Sequence, residues 1–424
     1  MINETEKRLL SYIDKEELVS LTQDLIRIDS VIRPETGNTE AGIVRFISNW
    51  IKRDLGIEPL IDEVVPGREN IIATIDSGLE GPCLMFEGHT DVVSEGNREL
   101  WRHDPFSGNI VDGKIYGRGA CDMKAGLAVN LLTVKAMIKS GVVFRGKMRL
   151  GLVCDEEGLM LGIKNFINKG HADDVDACLI PEPEENMLCL SMKGALRAVV
   201  TVKGKMSHGA MPLAGINPSL RMARIILSFE SYEKSQKDHY GKDEFLGWPS
   251  VTFTVVRSPP EGEPAQLNVI PSESVAYLDI RTIPGQNHEN IKEQLQLILD
   301  RLAEGDPDFN ASIKFIDDRP VASMNKDEPI VKISAQAYTD ITGRDPVYNG
   351  VPGATDGTFL NYLKGTPCLV NGPGPRHIPH QIDEYVEIEE LVESLQIYLL
   401  STFRYLNKGE ANIKPSNSKS SPTD

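Results

Sequence analysis

The sequence predicts an α/β protein, a mixed and largely parallel sheet flanked by helices, with an inserted unit of βαββαβ, ferredoxin-like order. Three observations carry that expectation. Short runs that are apolar throughout (NIIATI, CLMFEG, MRLGLVC, VDACLI and PCLV) alternate with helix-length segments, and strands apolar on both faces belong to sheets covered on each side. Between residues 193 and 318 the rhythm changes to alternating strands, and it returns to α/β periodicity at KDEPIVKISAQAY. One discontinuous domain, 1–192 and 319–407, is therefore expected to enclose a smaller one, 193–318.

In chain order, the first helix is expected from Asp14, where D-K-E-E offers a capping box with Glu17 and where Leu18, Leu21 and Leu25 share a face. A second begins after Thr39, with an apolar stripe of Ile43, Phe46, Ile47, Trp50 and Ile51 and a stop at Gly56. The apolar strands follow, with a helix starting near Lys124 between the second and third of them. The insertion runs from LRAVVTV to a helix opened by Asn217 and Pro218. Strands SVTFTVV and SVAYLDI, a helix near 288–303 and strand SIKFI complete it. The polar segment 408–424 is expected to be disordered.

Composition narrows the function. At 424 residues the chain exceeds one ordinary core. Its 45 Lys and Arg against 62 Asp and Glu leave a net charge of -17, without a basic stripe, which argues against nucleic acid and anionic membrane partners. No apolar stretch approaches the ~18 residues a membrane span needs, and no export signal opens the chain. Six cysteines lie far apart with no C-x-x-C pair, so reduced thiols in the cytoplasm are expected.

In open α/β sheets ligands gather beyond the carboxyl ends of the strands. His89 and Asp91 follow CLMFEG; Asp155, Glu156 and Glu157 follow MRLGLVC; Glu182 follows VDACLI; His377 and His380 come after PCLV; and Asp122 precedes the helix near Lys124. Taken singly, His-x-Asp is an ordinary loop pair, Asp122 a helix cap and the glutamates solvated acids. Together they form a thiolate-free cluster that suits zinc, with cobalt or manganese as alternatives. In His-x-Asp the aspartate is placed to hold the second ring N–H. Adjacent Glu156 and Glu157 point apart from an extended chain, so one can ligate while the other acts as base. Spacing alone leaves His377 and His380 as alternatives. In GRGACD an acid, Asp122, stands where the third glycine of a dinucleotide fingerprint belongs, and it would repel a pyrophosphate. His103, His171, His239 and His288 lie in polar stretches and are expected to be solvated.

GHTDVV, GRGACDMKAG, CDEEG, the PEP at 181–183, GKMSHGAMPLAGINP and PHQIDEYV resemble the successive motifs of one family. It is the co-catalytic zinc hydrolases that include acetylornithine deacetylase, succinyl-diaminopimelate desuccinylase, aminoacylase and glutamate carboxypeptidase, and the likeness runs from about residue 15 to 405. The resemblance implies a zinc-peptidase-like catalytic domain and two divalent metal ions per subunit, one held by His89, Asp122 and Glu182 and the other by a bridging Asp122, Glu157 and His380. It implies that Asp91 orients His89 and that Glu156 is the general base. His208 would be an oxyanion-stabilising lid histidine supplied by the partner in a lid-mediated homodimer. Asn268 and Arg281 would contact substrate, Arg281 through a carboxylate, although Arg281 could equally form an ion pair with Asp279. Two departures stand out: Ala125 replaces a frequent glycine, and GATDGTFL lacks an arginine often found after T-D. The expected activity is metal-dependent hydrolysis of the amide of an N-acyl amino acid or related small molecule, with a dipeptidase or carboxypeptidase as the alternative. A non-catalytic binding module is the reading that the presence of Glu156 opposes.

Overall fold

The structure, a computed structural model, describes residues 1–408. Its main sheet has nine strands. At the centre Lys147–Val153, Cys83–His89, Ala177–Pro183 and Cys368–Gly372 run side by side and parallel. The last three are buried along their whole length, because helices cover both faces. Leu84 and Phe86 point into one apolar cluster, Cys83 and Met85 into the other, the period of two that a strand imposes.

Helix Lys124–Ser140, buried on almost every side, lies on the first face among Lys15–Arg27 and Ile388–Leu406. Leu161–Asn168 and Gly357–Lys364 supply Ile163, Phe166, Phe359 and Leu360 to the second. Antiparallel strands extend the sheet: Arg68–Asp76 and Leu60–Val65 at one end, Leu188–Met192 at the other. Two of these were not anticipated. Leu60–Val65 carries Asp62 and Glu63 and reads as polar, and Leu188–Met192 is only five residues long behind an acidic turn.

Asp14 caps Lys15–Arg27 by accepting from the Glu17 amide at 3.0 Å. It does not open the first helix. Glu4–Leu10 comes earlier, closed by a reciprocal box in which Asn3 accepts from the Glu6 amide and Glu6 from the Asn3 amide. Seven residues are too few for helical periodicity to declare itself, and packing on Ile388–Leu406 supplies the stability that length does not. The third helix, Ala41–Trp50, runs into a π turn over Ile51–Leu55 and stops at Gly56, whose φ of 71° is left-handed.

The insertion forms a separate four-stranded antiparallel sheet in the order Ser250–Arg257, Glu273–Thr282, Gly194–Lys203, Asn310–Arg319. Pro218–Tyr240 and His288–Glu304 cover one face and close a core around Leu196, Val200, Phe229, Leu278 and Leu295. The opposite face carries no helix of its own, and on it Arg197 stands directly across from Asp279. A two-residue ribbon, Ser207–His208 against Val269–Ile270, projects from the same segment.

His288 is not solvated as expected. Its Nδ1 lies 2.6 Å from Asp318 and its Nε2 2.8 Å from the Thr282 hydroxyl, because the start of its helix docks on two strand ends. Of the segment expected to be disordered, residues 409–424 lie outside the described residues. Among the described residues no helix is long and apolar enough to cross a membrane.

Candidate metal centre

The four parallel strands end at one rim. His89 is the last residue of its strand and Glu182 the last but one of its own. Beyond Lys147–Val153 the chain turns at Asp155, whose left-handed φ of 67° is anchored by an ion pair with Arg68 at 2.6 Å, and so delivers Glu156 and Glu157. Asp122 comes from the loop ahead of Lys124–Ser140, and His380 from the loop after Cys368–Gly372.

These side chains meet. His89, Asp122 and Glu182 form one group of potential metal donors, and Asp122, Glu157 and His380 a second, with the donor atoms of each group within 4.8 Å of one another. The two oxygens of Asp122 are divided: Oδ1 lies 3.1 Å from His89 Nε2, Oδ2 3.3 Å from His380 Nε2. Glu182 is 3.6 Å from His89, and Glu157 3.0 Å from His380. His377 is in neither group.

The tautomer of His89 tests whether a cation fits. Its Nδ1 lies 2.9 Å from the main-chain oxygen of Asp91, an acceptor only, so Nδ1 carries the proton. A neutral ring then presents the Nε2 lone pair to two carboxylates, a repulsive arrangement that a second proton or a cation would relieve. The donor set of two imidazoles and three carboxylates fits a borderline divalent ion. The Asp91 carboxylate, expected to hold the ring, stands 3.7 Å from Nδ1. The carbonyl of the same residue is closer and takes the single N–H. That carboxylate instead accepts from the Glu156 and Glu157 amides at 3.1 and 3.2 Å and fixes the turn that carries both glutamates.

Electrostatics point the same way. Burial pushes the Glu156 and Glu182 carboxyls well above the usual range, and burial with the neighbouring Asp122 charge raises Glu157. Burial opposes a charge on Asp122, yet the two imidazoles hold it below the usual carboxylate range. Hydrogen bonds to Asp122 and Glu157 push His380 up to about 10. Burial disfavours charge on His89, but Glu182, Asp122 and Asp91 outweigh it and raise the ring well above its ordinary value. Behind Glu156, Asp356 is buried with both carboxylate oxygens unpartnered. The rim thus holds more acid than its two imidazolium protons can balance.

Above the rim is a cleft of about 540 Å³. Asp122, Glu156, Glu157, Glu182 and His380 line it together with four arginines, Arg197, Arg281 and Arg319 from the inserted sheet and Arg376 from the loop that carries His380. Arg281 lines the cleft and forms the ion pair considered for it, holding Asp279 at 2.5 and 3.0 Å. Arg197 and Arg319 share Asp317 at 3.1 and 2.9 Å, and Arg376 meets Glu184 at 2.5 Å. Sequence reasoning overlooked Arg197, Arg319 and Arg376. Arg197 alternates with the core residues Leu196 and Ala198 and so had a strand signal. Arg376 sits four residues before His380 in an irregular loop and had none.

His208 and Asn268 do not line this cleft. The ribbon sets them side by side and exposed, with the Asn268 carbonyl accepting from the Gly209 amide at 2.6 Å. Met206, Met211, Leu213 and Leu267 are exposed around them.

Comparison with known proteins identifies the family. The model of peptidase family M20/M25/M40 matches residues 85–402. A succinyl-diaminopimelate desuccinylase of Methylobacterium radiotolerans is 30% identical over 392 residues, which covers 89% of this chain and 94% of that protein. Two solved structures share the fold at 18% identity. An M20 family metallo-carboxypeptidase from Sulfolobus solfataricus superposes with a TM-score of 0.76, covering 93% of this chain and 99% of that one. The di-peptidase Dug1p from Saccharomyces cerevisiae superposes with 0.75, covering 96% and 99%.

Proposed function

The chain belongs to peptidase family M20/M25/M40 and is a metal-dependent hydrolase of amide bonds; within that class we propose that it is a deacylase of an N-acyl amino acid or related small molecule. Residues 1–192 and 319–407 form the catalytic domain in this reading, and 193–318 a lid and dimerisation domain. His89, Asp122 and Glu182 would hold one cation, and Asp122, Glu157 and His380 the other. Zinc suits these donors, with cobalt and manganese as alternatives. The observation that carries the reading is the divided carboxylate of Asp122, one oxygen toward each histidine.

When bound, the cations supply Lewis-acid polarisation of the scissile carbonyl and acidify water. Glu156 takes the proton of the attacking water and returns it to the leaving nitrogen. Its carboxyl lines the cleft next to Glu157, a position suited to a group that holds that proton between the two transfers. Asp91 keeps Glu156 aimed by accepting from its amide. Arg281, with Arg197 and Arg376 in the same cleft, offers the N–H groups that Asp279, Asp317 and Glu184 leave free to the carboxylate of an acyl amino acid. His208 is the oxyanion donor of the neighbouring subunit in a lid-mediated homodimer, and Asn268 accompanies it. The exposed Met206, Met211, Leu213 and Leu267 around it support an assembly that covers that patch. Six unpaired, buried cysteines support a cytoplasmic location.

A dipeptidase is the second reading. Glu184 lines the cleft and could receive the α-ammonium group of a peptide. The test is a panel of N-acyl amino acids and dipeptides, assayed with and without a chelator. Release of a simple acid that chelation stops and zinc or cobalt restores is expected. Turnover of dipeptides alone would replace the deacylase reading, and turnover of neither would overturn both.

A further inference from the structure

Two loops carry residues of the cation sites, and one buried side chain that sequence reasoning did not single out joins them. Glu384, four residues after His380, is 0% exposed. Its Oε1 accepts from the amides of Cys121 and Asp122 at 2.8 and 3.0 Å. Its Oε2 accepts from the Gly119 amide at 3.1 Å and from Arg118 Nη1 at 2.5 Å. Three amides of one loop converge on one carboxylate because Gly119 takes a left-handed φ of 81°, at a point where a Cβ would strike Val92 Cγ1 at 2.6 Å. Arg118 completes the brace: it is 2% exposed, its guanidinium stacks over Trp101, and its Nη2 donates to the main-chain oxygen of His380 at 3.3 Å.

The brace therefore grips the main chain of two residues of the donor groups, besides Gly119 and Cys121. One is Asp122, the carboxylate common to both donor groups, and the other is His380, which belongs to the second group only. The His89 and Glu182 strands are not part of it. We propose that Glu384, acting with Arg118, is a positioning residue that fixes the Asp122 and His380 loops as one unit and so sets the geometry of the second cation site. The inference rests on the metal-site reading above.

The effect is asymmetric. Glu384→Gln keeps the volume but leaves one acceptor oxygen where two are used, so an N–H of the carboxamide must face either the Cys121 and Asp122 amides or the Gly119 amide and Arg118. Groups that orient metal ligands change affinity by about 10- to 100-fold when removed, and here the larger loss should fall on the site that contains His380, which has two braced residues, Asp122 and His380, against Asp122 alone in the other. A residue that only stabilised the fold would lower the melting temperature without changing the ratio of the two affinities.

The experiment titrates Co²⁺ into the metal-free full-length protein and reads stoichiometry and the visible absorbance of the bound ion. Wild type should take up two ions. Glu384→Gln should weaken one of the two by about 10-fold or more and the other by clearly less. Arg118→Lys retains the charge but not the fork, and should weaken the same site to a smaller extent; it serves alone if Glu384→Gln does not fold. Arg102→Ala breaks the exposed Arg102–Asp383 pair on the same loop without touching the brace, and should match wild type. Equal losses at both sites, or unchanged affinities in Glu384→Gln or, where that variant does not fold, in Arg118→Lys, would overturn the proposal. A wild-type protein that binds no Co²⁺ would instead refute the metal-site reading beneath it.

Discussion

The rim of the parallel sheet and the open face of the inserted sheet both present charged groups to one cleft, yet they are built on opposite plans. On the inserted sheet each arginine has an acid beside it: Arg281 holds Asp279, and Arg197 and Arg319 share Asp317. That face is close to neutral before any ligand arrives. At the rim, Asp122, Glu156, Glu157 and Glu182 crowd around two imidazoles whose outward nitrogens face carboxylate oxygens. The imbalance at the rim calls for added positive charge, whereas the paired arginines can only lend spare N–H groups to an anion. One region is completed by its ligand, and the other is already complete and merely selects.

The largest contrast should come from the rim. Glu156→Gln is expected to lower kcat by at least about 10²- to 10⁴-fold, the scale of a general base, while metal content by elemental analysis stays at the wild-type level. Loss of the metal with the activity would move Glu156 from base to ligand. On the lid side, His208→Ala should cost about 10²- to 10³-fold in kcat, the scale of an oxyanion donor. Because His208 is read as acting on the neighbouring subunit, mixing inactive Glu156→Gln and His208→Ala chains should restore activity in hybrid dimers. Mixtures as inactive as their parents would place His208 outside the reaction.

A smaller effect separates the regions by pH. His380 is raised to about 10 in the metal-free protein, against about 6.5 for a free imidazole. Its pairing with Asp122 and Glu157 therefore stabilises the metal-free fold fully below pH of about 6.5 and is lost as pH climbs through about 10. A cation must displace that proton, so apparent metal affinity should tighten as pH rises across this window, by up to about tenfold per pH unit for each proton released. Isothermal titration at several pH values checks the slope. A flat profile would mean that His380 is not a ligand.

The same contrast explains what was legible in the sequence. Rim residues follow short buried runs, and a rule about strand ends plus donor chemistry was enough to gather His89, Asp122, Glu156, Glu157, Glu182 and either His377 or His380; the choice of His380, and of Glu157 as the ligand, came from the family resemblance. Asp91 was legible as a neighbour but not in detail, since only coordinates show that its carbonyl lies closer to the ring than its carboxylate. Of the cleft arginines Arg281 was named through the resemblance, whereas the convergence of Arg197, Arg319 and Arg376 on the same cleft depends on strand register and on a loop conformation, neither of which periodicity encodes. Glu384 lay in plain view within PHQIDEYV, but its partners Gly119, Cys121 and Asp122 stand more than 260 residues earlier, and nothing local links them. Helix Glu4–Leu10 escaped notice because its stability is tertiary.

The most direct test of the central claim, that one shared carboxylate organises two cation sites, is the metal content of the purified protein beside that of Asp122→Asn. Wild type should carry two divalent ions per chain after equilibration with zinc. The variant should lose tight binding at both sites together while keeping its circular dichroism spectrum. A variant that still holds two ions, or a wild type that binds fewer than two, would contradict the account.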